Sequence, residues 1–176
     1  MKNRVYLYIA VSLILVTTGY AFAVFNVCDP LVNKELYCNK IDNFQGFYSE
    51  NIRGHIFAGF LALGGFLLSL KTFIVVNMKE NLYDNPKYQD LWRRKNKIDP
   101  NLLLYAPLKE LSDILFYAIS ASIFSAITQM TIGLYETWYA ALFSIFTCIV
   151  ATLLLLESLR LIKNNLDSWF EHIESR

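Results

Sequence analysis

The chain has 176 residues, of which 55% are hydrophobic and only 18% are charged, and its formal net charge is +1. This composition is more apolar and less charged than that of an ordinary soluble domain, and it predicts a membrane protein. Because a hydrocarbon core of ~30 Å requires about 20 apolar residues in a helix, we searched for windows of that size. Four occur, at residues 5–27, 54–78, 114–134 and 137–156. They predict an all-α, four-span helical membrane protein without room for a separate soluble catalytic domain.

The first segment also fits a secretory signal, because Lys2 and Arg4 precede an apolar core that ends in a small-residue cleavage pattern, residues 21–23. We interpret it as span one. Lysine and arginine are concentrated before span one, between spans two and three, and after span four. The positive-inside rule therefore predicts that both termini and the second loop are cytoplasmic, and that the first and third loops are outside.

The predicted organisation has four parts. Residues 1–78 form spans one and two with a stapled outer loop, and residues 79–109 form a cytoplasmic basic loop. Residues 110–158 form spans three and four, and residues 159–176 form a cytoplasmic amphipathic helix.

Cys28 and Cys38 fall in the first outer loop and predict a disulfide, since paired thiols in an oxidising compartment usually become oxidised. A metal site is the alternative, but the spacing lacks an adjacent histidine pair. Cys148, inside span four, predicts simple packing.

Span two contains Lys71, seventeen residues after its start at Gly54. A flexible lysine at that depth can snorkel to the inner interface. The alternative is that Lys71 faces an aqueous cavity and belongs to a pore lining.

The second loop carries a basic patch interleaved with aromatic residues. Such a patch beside a membrane typically contacts anionic headgroups, and binding to single-stranded nucleic acid is the alternative, which we do not favour. The patch consists of Arg93, Arg94, Lys95 and Lys97.

Span three places Ala118, Ser122, Ser125 and Gln129 at steps of four, three and four, which puts them on one helix face. A close-packed helix interface is one interpretation. A wet face lining a pore, formed by Ser122, Ser125 and Gln129, is the other.

No glycine or proline follows Leu134, so span four should continue as a helix well beyond the membrane. Its extension carries an apolar stripe at three- and four-residue steps, which predicts an interface with the same chain, another subunit or a partner. The stripe consists of Leu159, Ile162, Leu166, Trp169, Phe170 and Ile173.

The sequence offers little for catalysis. Its two histidines, His55 and His172, fall on opposite sides of the predicted membrane, which argues against a Cys-His pair or a multi-histidine metal site. The glycine-rich run at residues 59–65 is apolar and lies inside a span, so it is not a phosphate loop. We therefore expect no enzyme, no metal and no cofactor.

The size, the lysine- and asparagine-rich character and the helical C-terminal end resemble the small membrane accessory protein of type VI-B CRISPR-Cas loci. The resemblance implies an oligomeric pore that enhances antiviral defence by an RNA-guided ribonuclease. That family carries a divergent HEPN ribonuclease motif, an arginine and a histidine with four to six residues between them. Here Asn165 stands where a histidine would follow Arg160, so we expect no RNA cleavage.

Together these expectations describe a homo-oligomeric pore or channel in the bacterial inner membrane. With so few spans in each chain, only an assembly could enclose an aqueous path. Its partners would be copies of itself, membrane lipid and an RNA-guided ribonuclease complex. The alternative is a tetraspan scaffold that recruits a cytoplasmic protein through the basic loop and the C-terminal helix.

Overall fold

The computed structural model of the chain describes residues 2–28, 39–97 and 103–174. Within these ranges the chain is helical apart from short turns, and it contains no β-strand. Six α-helices follow one another: α1 Lys2–Val27, α2 Asn39–Phe47, α3 Arg53–Met78, α4 Pro86–Asn96, α5 Ala106–Met130 and α6 Trp138–Glu174. Two π-helical turns, Tyr48–Ile52 and Lys79–Tyr83, precede and follow α3, and a 3₁₀ turn, Ile132–Leu134, lies between α5 and α6.

Four helical stretches are long and apolar enough to cross a membrane. They are Arg4–Asn26, Asn43–Asn81, Ala106–Leu134 and Trp138–Asp167. Each contains or overlaps one of the four predicted segments, so the predicted all-α fold with four spanning helices is confirmed.

Helical structure begins earlier than the sequence predicts before two of the spans. Before the second span, α2 and the π-helical turn that follows it occupy part of the predicted outer loop and lead directly into α3. Helix α5 begins at Ala106, although charged residues delay the apolar window until residue 114. Pro107 suits this start, because amide hydrogens in the first helical turn have no acceptor within the helix, so a proline loses no hydrogen bond there.

Helix α5 is the centre of the bundle. It packs along α3 on one side and α6 on the other, while α1 packs more sparsely against α6. Gly64 permits the close approach of α3 to α5, because a Cβ there would lie 3.0 Å from Ile123 Cγ1. The core therefore lies between α3, α5 and α6, and α1 is a peripheral helix.

Helix α6 is continuous over 37 residues, as the absence of glycine and proline predicts. Trp138 and Glu157 are separated by nineteen residues of this helix, which corresponds to about 28 Å at 1.5 Å per residue. This length is close to the hydrocarbon thickness of a bilayer. We call the end of the bundle near Trp138 the loop end and the end near Glu157 the α4 end.

Candidate functional site

A buried polar network lies between α3, α5 and α6 near the loop end. Gln129 is 1% exposed, and its amide nitrogen donates to the Ser144 carbonyl at 3.2 Å and contacts Cys148 Sγ at 3.1 Å. The hydroxyl of Tyr48, which is also fully buried, donates to Gln129 Oε1. Ser125 Oγ lies 3.2 Å from Cys148 Sγ. The network thus connects the π-helical turn before α3 with α5 and α6.

The same region fixes the loop between α5 and α6. Arg53 donates to the Gly133 carbonyl at 3.1 Å, and Gln45 donates to the Tyr135 carbonyl at 2.9 Å. A Cβ at Gly133 would lie 3.4 Å from both Arg53 Cδ and Ser144 Oγ, so only a small residue fits without displacement. Arg53 thereby gives the Gly133 carbonyl a side-chain donor, and Gln45 adds a second donor to the Tyr135 carbonyl, which also accepts from the Thr137 amide at 2.8 Å.

Ser122, Ser125 and Gln129 therefore face the interior of a single chain. Ser122 is fully buried and donates to the Ala118 carbonyl at 2.8 Å, one turn earlier. The prediction that these residues share one face with Ala118 is confirmed, because all four are buried along α5. Their hydrogen bonds within the chain favour the interpretation as helix packing over the interpretation as a pore lining.

Lys71 lies near the α4 end of α3 and is half-buried. Its Nζ is 5.2 Å from the centre of the Phe116 ring, within reach of a cation–π interaction. Eighteen residues separate it from Arg53, which corresponds to about 27 Å along the helix. A hydrocarbon layer of ~30 Å that begins at Arg53 would end close to Lys71, and the snorkelling interpretation predicts this position.

An ionic contact at the α4 end joins α1 to the core. Arg4 donates to Glu157 at 2.9 Å and lies 3.7 Å from Glu110. The side chain of Glu157 is 6% exposed, whereas that of Arg4 is 51% exposed. One signal of this contact is visible in the sequence: Glu157 is a single acidic residue at the end of the long apolar run in span four.

The segment after α3 folds back onto the bundle through aromatic residues. Tyr83 is 2% exposed and packs with Leu108, Val75, Met78 and Tyr88. Burial raises the pKa of Tyr83 to about 12 and also raises the pKa of Tyr88.

Polar contacts reinforce the same attachment. Asp84 forms an ion pair with Lys79 at 3.4 Å and accepts a hydrogen bond from Tyr105 at 2.8 Å. The hydrogen bond to Asp84 raises the pKa of the Tyr105 hydroxyl. The two ends of the predicted basic loop are thereby joined to each other.

Helix α4 carries the basic patch away from this attachment. Arg93, Arg94 and Lys97 are exposed, and Arg93 pairs only loosely with Asp90 at 3.5 Å. The side chain of Lys95 lies outside the described residues. The patch therefore presents at least three accessible cations at the α4 end.

The apolar stripe of the α6 extension lies partly against its own chain. Ile162 and Leu166 border a cavity of about 340 Å³, whose other wall is formed by the last turns of α3, including Phe73 and Ile74. Leu159 is 58% exposed. The side chains of Trp169, Phe170 and Ile173 lie outside the described residues, so the interface remains a prediction for them.

The cysteines occupy two different environments. Cys148 is a free, buried thiol within the polar network, consistent with the predicted packing role. Cys28 is 6% exposed and packs with Val24, Tyr20 and Trp138 at the loop end. Cys38 lies outside the described residues, so the disulfide stays a prediction.

Comparisons with protein-family models, curated proteins and solved structures give no match. The resemblance to the type VI-B accessory protein therefore stays a prediction.

Proposed function

We propose that the chain is a subunit of a homo-oligomeric pore or channel in the bacterial inner membrane, with α3 facing the axis of the assembly. The observation that supports the proposal is the outward face of α3, opposite α5. At 100° per residue, six exposed small or hydroxyl residues fall within an arc of about 80°. They are Gly54, Ala58, Ala62, Gly65, Ser69 and Thr72.

The surrounding exposed positions of α3 are different. Leu61 and Leu68 lie beside one edge of this arc, and Phe66 and Phe73 beside the other, with exposures of 49–67%. Contact with lipid alone favours large apolar side chains and gives no reason for a continuous line of small ones. Small residues in a transmembrane helix instead let neighbouring helices come near one another, so the α3 helices of several copies can lie around a common axis.

A pore between copies requires a face that leaves space and can be wetted. Small side chains pointing to a common axis leave space, and the hydroxyls of Ser69 and Thr72 can hydrogen-bond to water. Their present partners are carbonyls of their own helix at long distances of 3.5 Å and 3.4 Å. By contrast, Ser122, Ser125 and Gln129 of α5 already have partners within the chain. The proposed lining is therefore α3, the second span, and not the polar face of the third span (α5), which was one of the two interpretations of the sequence.

Efflux from liposomes tests the proposal. The purified chain, reconstituted at several protein-to-lipid ratios, should release ions and small dyes at a rate that rises faster than linearly with protein. Gly65→Leu, on the small face, should lower efflux by about tenfold because it fills the space on the axis. Gly59→Leu is the matched control, because Gly59 lies outside the arc and a Cβ at either glycine meets no other atom within 4 Å.

Vesicles that stay tight at every protein-to-lipid ratio would contradict the pore. Equal efflux from the Gly59→Leu and Gly65→Leu variants would exclude α3 as its lining. Thiol labelling adds a direct measurement: Ser69→Cys should react with a charged methanethiosulfonate reagent and block efflux. Leu61→Cys should not.

The proposed role in antiviral defence rests on the resemblance alone. The pore would permeabilise or depolarise the membrane after a partner RNA-guided ribonuclease has recognised viral RNA. A potential-sensitive dye tests this role in cells that express the chain with and without the ribonuclease and its target. Depolarisation that is independent of the target would contradict this order of events.

A scaffold is the second candidate, and the geometry of α4 favours it. Arg93, Arg94 and Lys97 are exposed on a helix whose preceding segment is firmly attached to the bundle through Tyr83. Such a surface suits a partner or anionic headgroups at the cytoplasmic interface. Membrane potential during overexpression separates the two candidates, because a pore should depolarise cells and a scaffold should not.

A further inference from the structure

A second cavity lies between α1 and α6 in the half of the bundle near the loop end. Its volume is about 580 Å³, and its walls are almost entirely apolar. Its α1 wall includes Leu15, Gly19 and Ala23, and its α6 wall includes Leu142, Ile145 and Ile149. Pockets of this size and character are typical binding sites for small apolar molecules.

The position of the cavity identifies the kind of occupant. It extends along α6 from Trp138 to Ile149, eleven residues or about 16 Å at 1.5 Å per residue. That distance is about half of the ~30 Å hydrocarbon layer, so the cavity lies at the depth of one leaflet. Asn43 of α2 also borders it, at the loop end, where lipid headgroups would lie.

Two contacts hold helix α1 against the bundle. Arg4 pairs with Glu157 at the α4 end, and the rings of Tyr20 and Trp138, which themselves line the cavity, stack with centres 5.1 Å apart at the loop end. Because these contacts fix the spacing of α1 and α6, the cavity is a defined feature of this helix pair.

Gly19 widens the cavity on its α1 side. A Cβ at this position would meet no atom of the chain within 4 Å, so a larger side chain here would project into the open space of the cavity. The position is therefore suited to a substitution that fills the cavity.

We propose that this cavity binds one acyl chain of a membrane phospholipid, with its headgroup at the loop end near Asn43. The site is independent of the proposed pore. Its role is to fill the gap between the peripheral helix α1 and the core.

Photo-crosslinking tests the site. The full chain is reconstituted in phosphatidylethanolamine and phosphatidylglycerol vesicles doped with phosphatidylethanolamine that carries a diazirine on its acyl chain. Labels should concentrate on the cavity walls of α1 and α6. The double variant Gly19→Leu/Ala23→Leu should lower labelling of the α6 wall by about tenfold, because leucine side chains occupy the space. Ala21→Leu, on another face of α1, should label like the parent.

Labelling spread evenly over the exposed residues of α1, or unchanged in the double variant, would overturn the proposal. A disulfide between two Gly19→Cys chains would also overturn it, because a second copy of the chain would then occupy the place proposed for the lipid. Circular dichroism and thermal unfolding verify that the double variant folds.

Quenching of tryptophan fluorescence tests the site without a variant in which leucine side chains fill the cavity. In a chain with Trp92→Phe and Trp169→Phe, acyl-brominated phospholipid should quench Trp138 strongly, because its ring borders the cavity. In the control chain all three native tryptophans are replaced by phenylalanine, and Ala21→Trp supplies the one remaining tryptophan, on the lipid-facing side of α1. Quenching of Trp138 no stronger than quenching of this lipid-facing tryptophan would also overturn the site.

Discussion

Substitution of Gln129 tests whether the polar network stabilises the bundle. Gln129→Leu preserves the approximate size of the side chain but removes its contacts with Ser144, Cys148 and Tyr48. Hydrogen bonds between transmembrane helices contribute about 0.6 kcal/mol each on average, so loss of three costs about 2 kcal/mol. The Tyr48 hydroxyl is also left buried without its acceptor, which adds about 1–3 kcal/mol. We expect a total destabilisation of about 3–5 kcal/mol.

Unfolding by sodium dodecyl sulfate in mixed micelles, followed by circular dichroism, measures this loss. Tyr48→Phe removes the other partner and should cost less, because the Gln129 amide nitrogen keeps its contacts. The double variant should be more stable than the sum of the two single changes predicts, since it leaves no unpaired phenol. Additive effects would refute the direct hydrogen bond. A Gln129→Leu variant as stable as the parent, with altered efflux, would refute the packing role and restore Gln129 to the lining.

Three further predictions concern other contacts. Gly64→Leu should destabilise the bundle by about 1–3 kcal/mol through overpacking against α5, whereas Gly59→Leu should be nearly neutral, and unfolding in mixed micelles measures both. Arg4→Ala should lower the free energy of unfolding by about 1–2 kcal/mol, because buried Glu157 loses its charge-assisted hydrogen bond to the half-exposed arginine. The double variant Arg4→Ala/Glu157→Gln should recover part of this loss, because it leaves no unpaired buried carboxylate. Equal losses in the single and the double variant would exclude the ion pair. Stability should fall as pH rises from 10 towards 12, because folded Tyr83 keeps its proton above the pKa of the unfolded chain. Unfolding curves at several pH values should show a smaller fall for Tyr83→Phe, and an identical fall would contradict the prediction.

The main architecture could be predicted from the sequence because a long uninterrupted apolar run has few alternatives in a chain of this size. The four spans, the continuous α6 and the common face of the α5 polar residues were all predicted in this way. Helix starts were less predictable. Glu110 and Asp113 lie in the first turns of α5. Because charged residues lower the mean hydropathy of a window, the apolar window begins only at residue 114, and the predicted start of this helix was too late.

Contacts between distant segments could not be predicted. Tyr48 lies in what the sequence indicates is a loop, and no local pattern pairs it with Gln129, 81 residues away. The pairing of Arg4 with Glu157, 153 residues away, was missed for the same reason. Periodicity shows which residues share a face, but only the packing of α3, α5 and α6 shows which face is enclosed.

This distinction changes where self-association should be sought. Polar residues on a predicted spanning helix can serve either the inside of one chain or a surface between chains, and the α5 residues serve the inside. Once Gln129 and Ser125 are paired within the bundle, the concentration of small exposed residues on α3 stands out as the surface that the fold of one chain does not require. In a membrane, burial of apolar side chains does not by itself drive helices together, so a face that permits close backbone approach is the physical feature that an assembly needs. A change on α3 should therefore alter assembly without unfolding the chain, and a change on α5 should do the reverse.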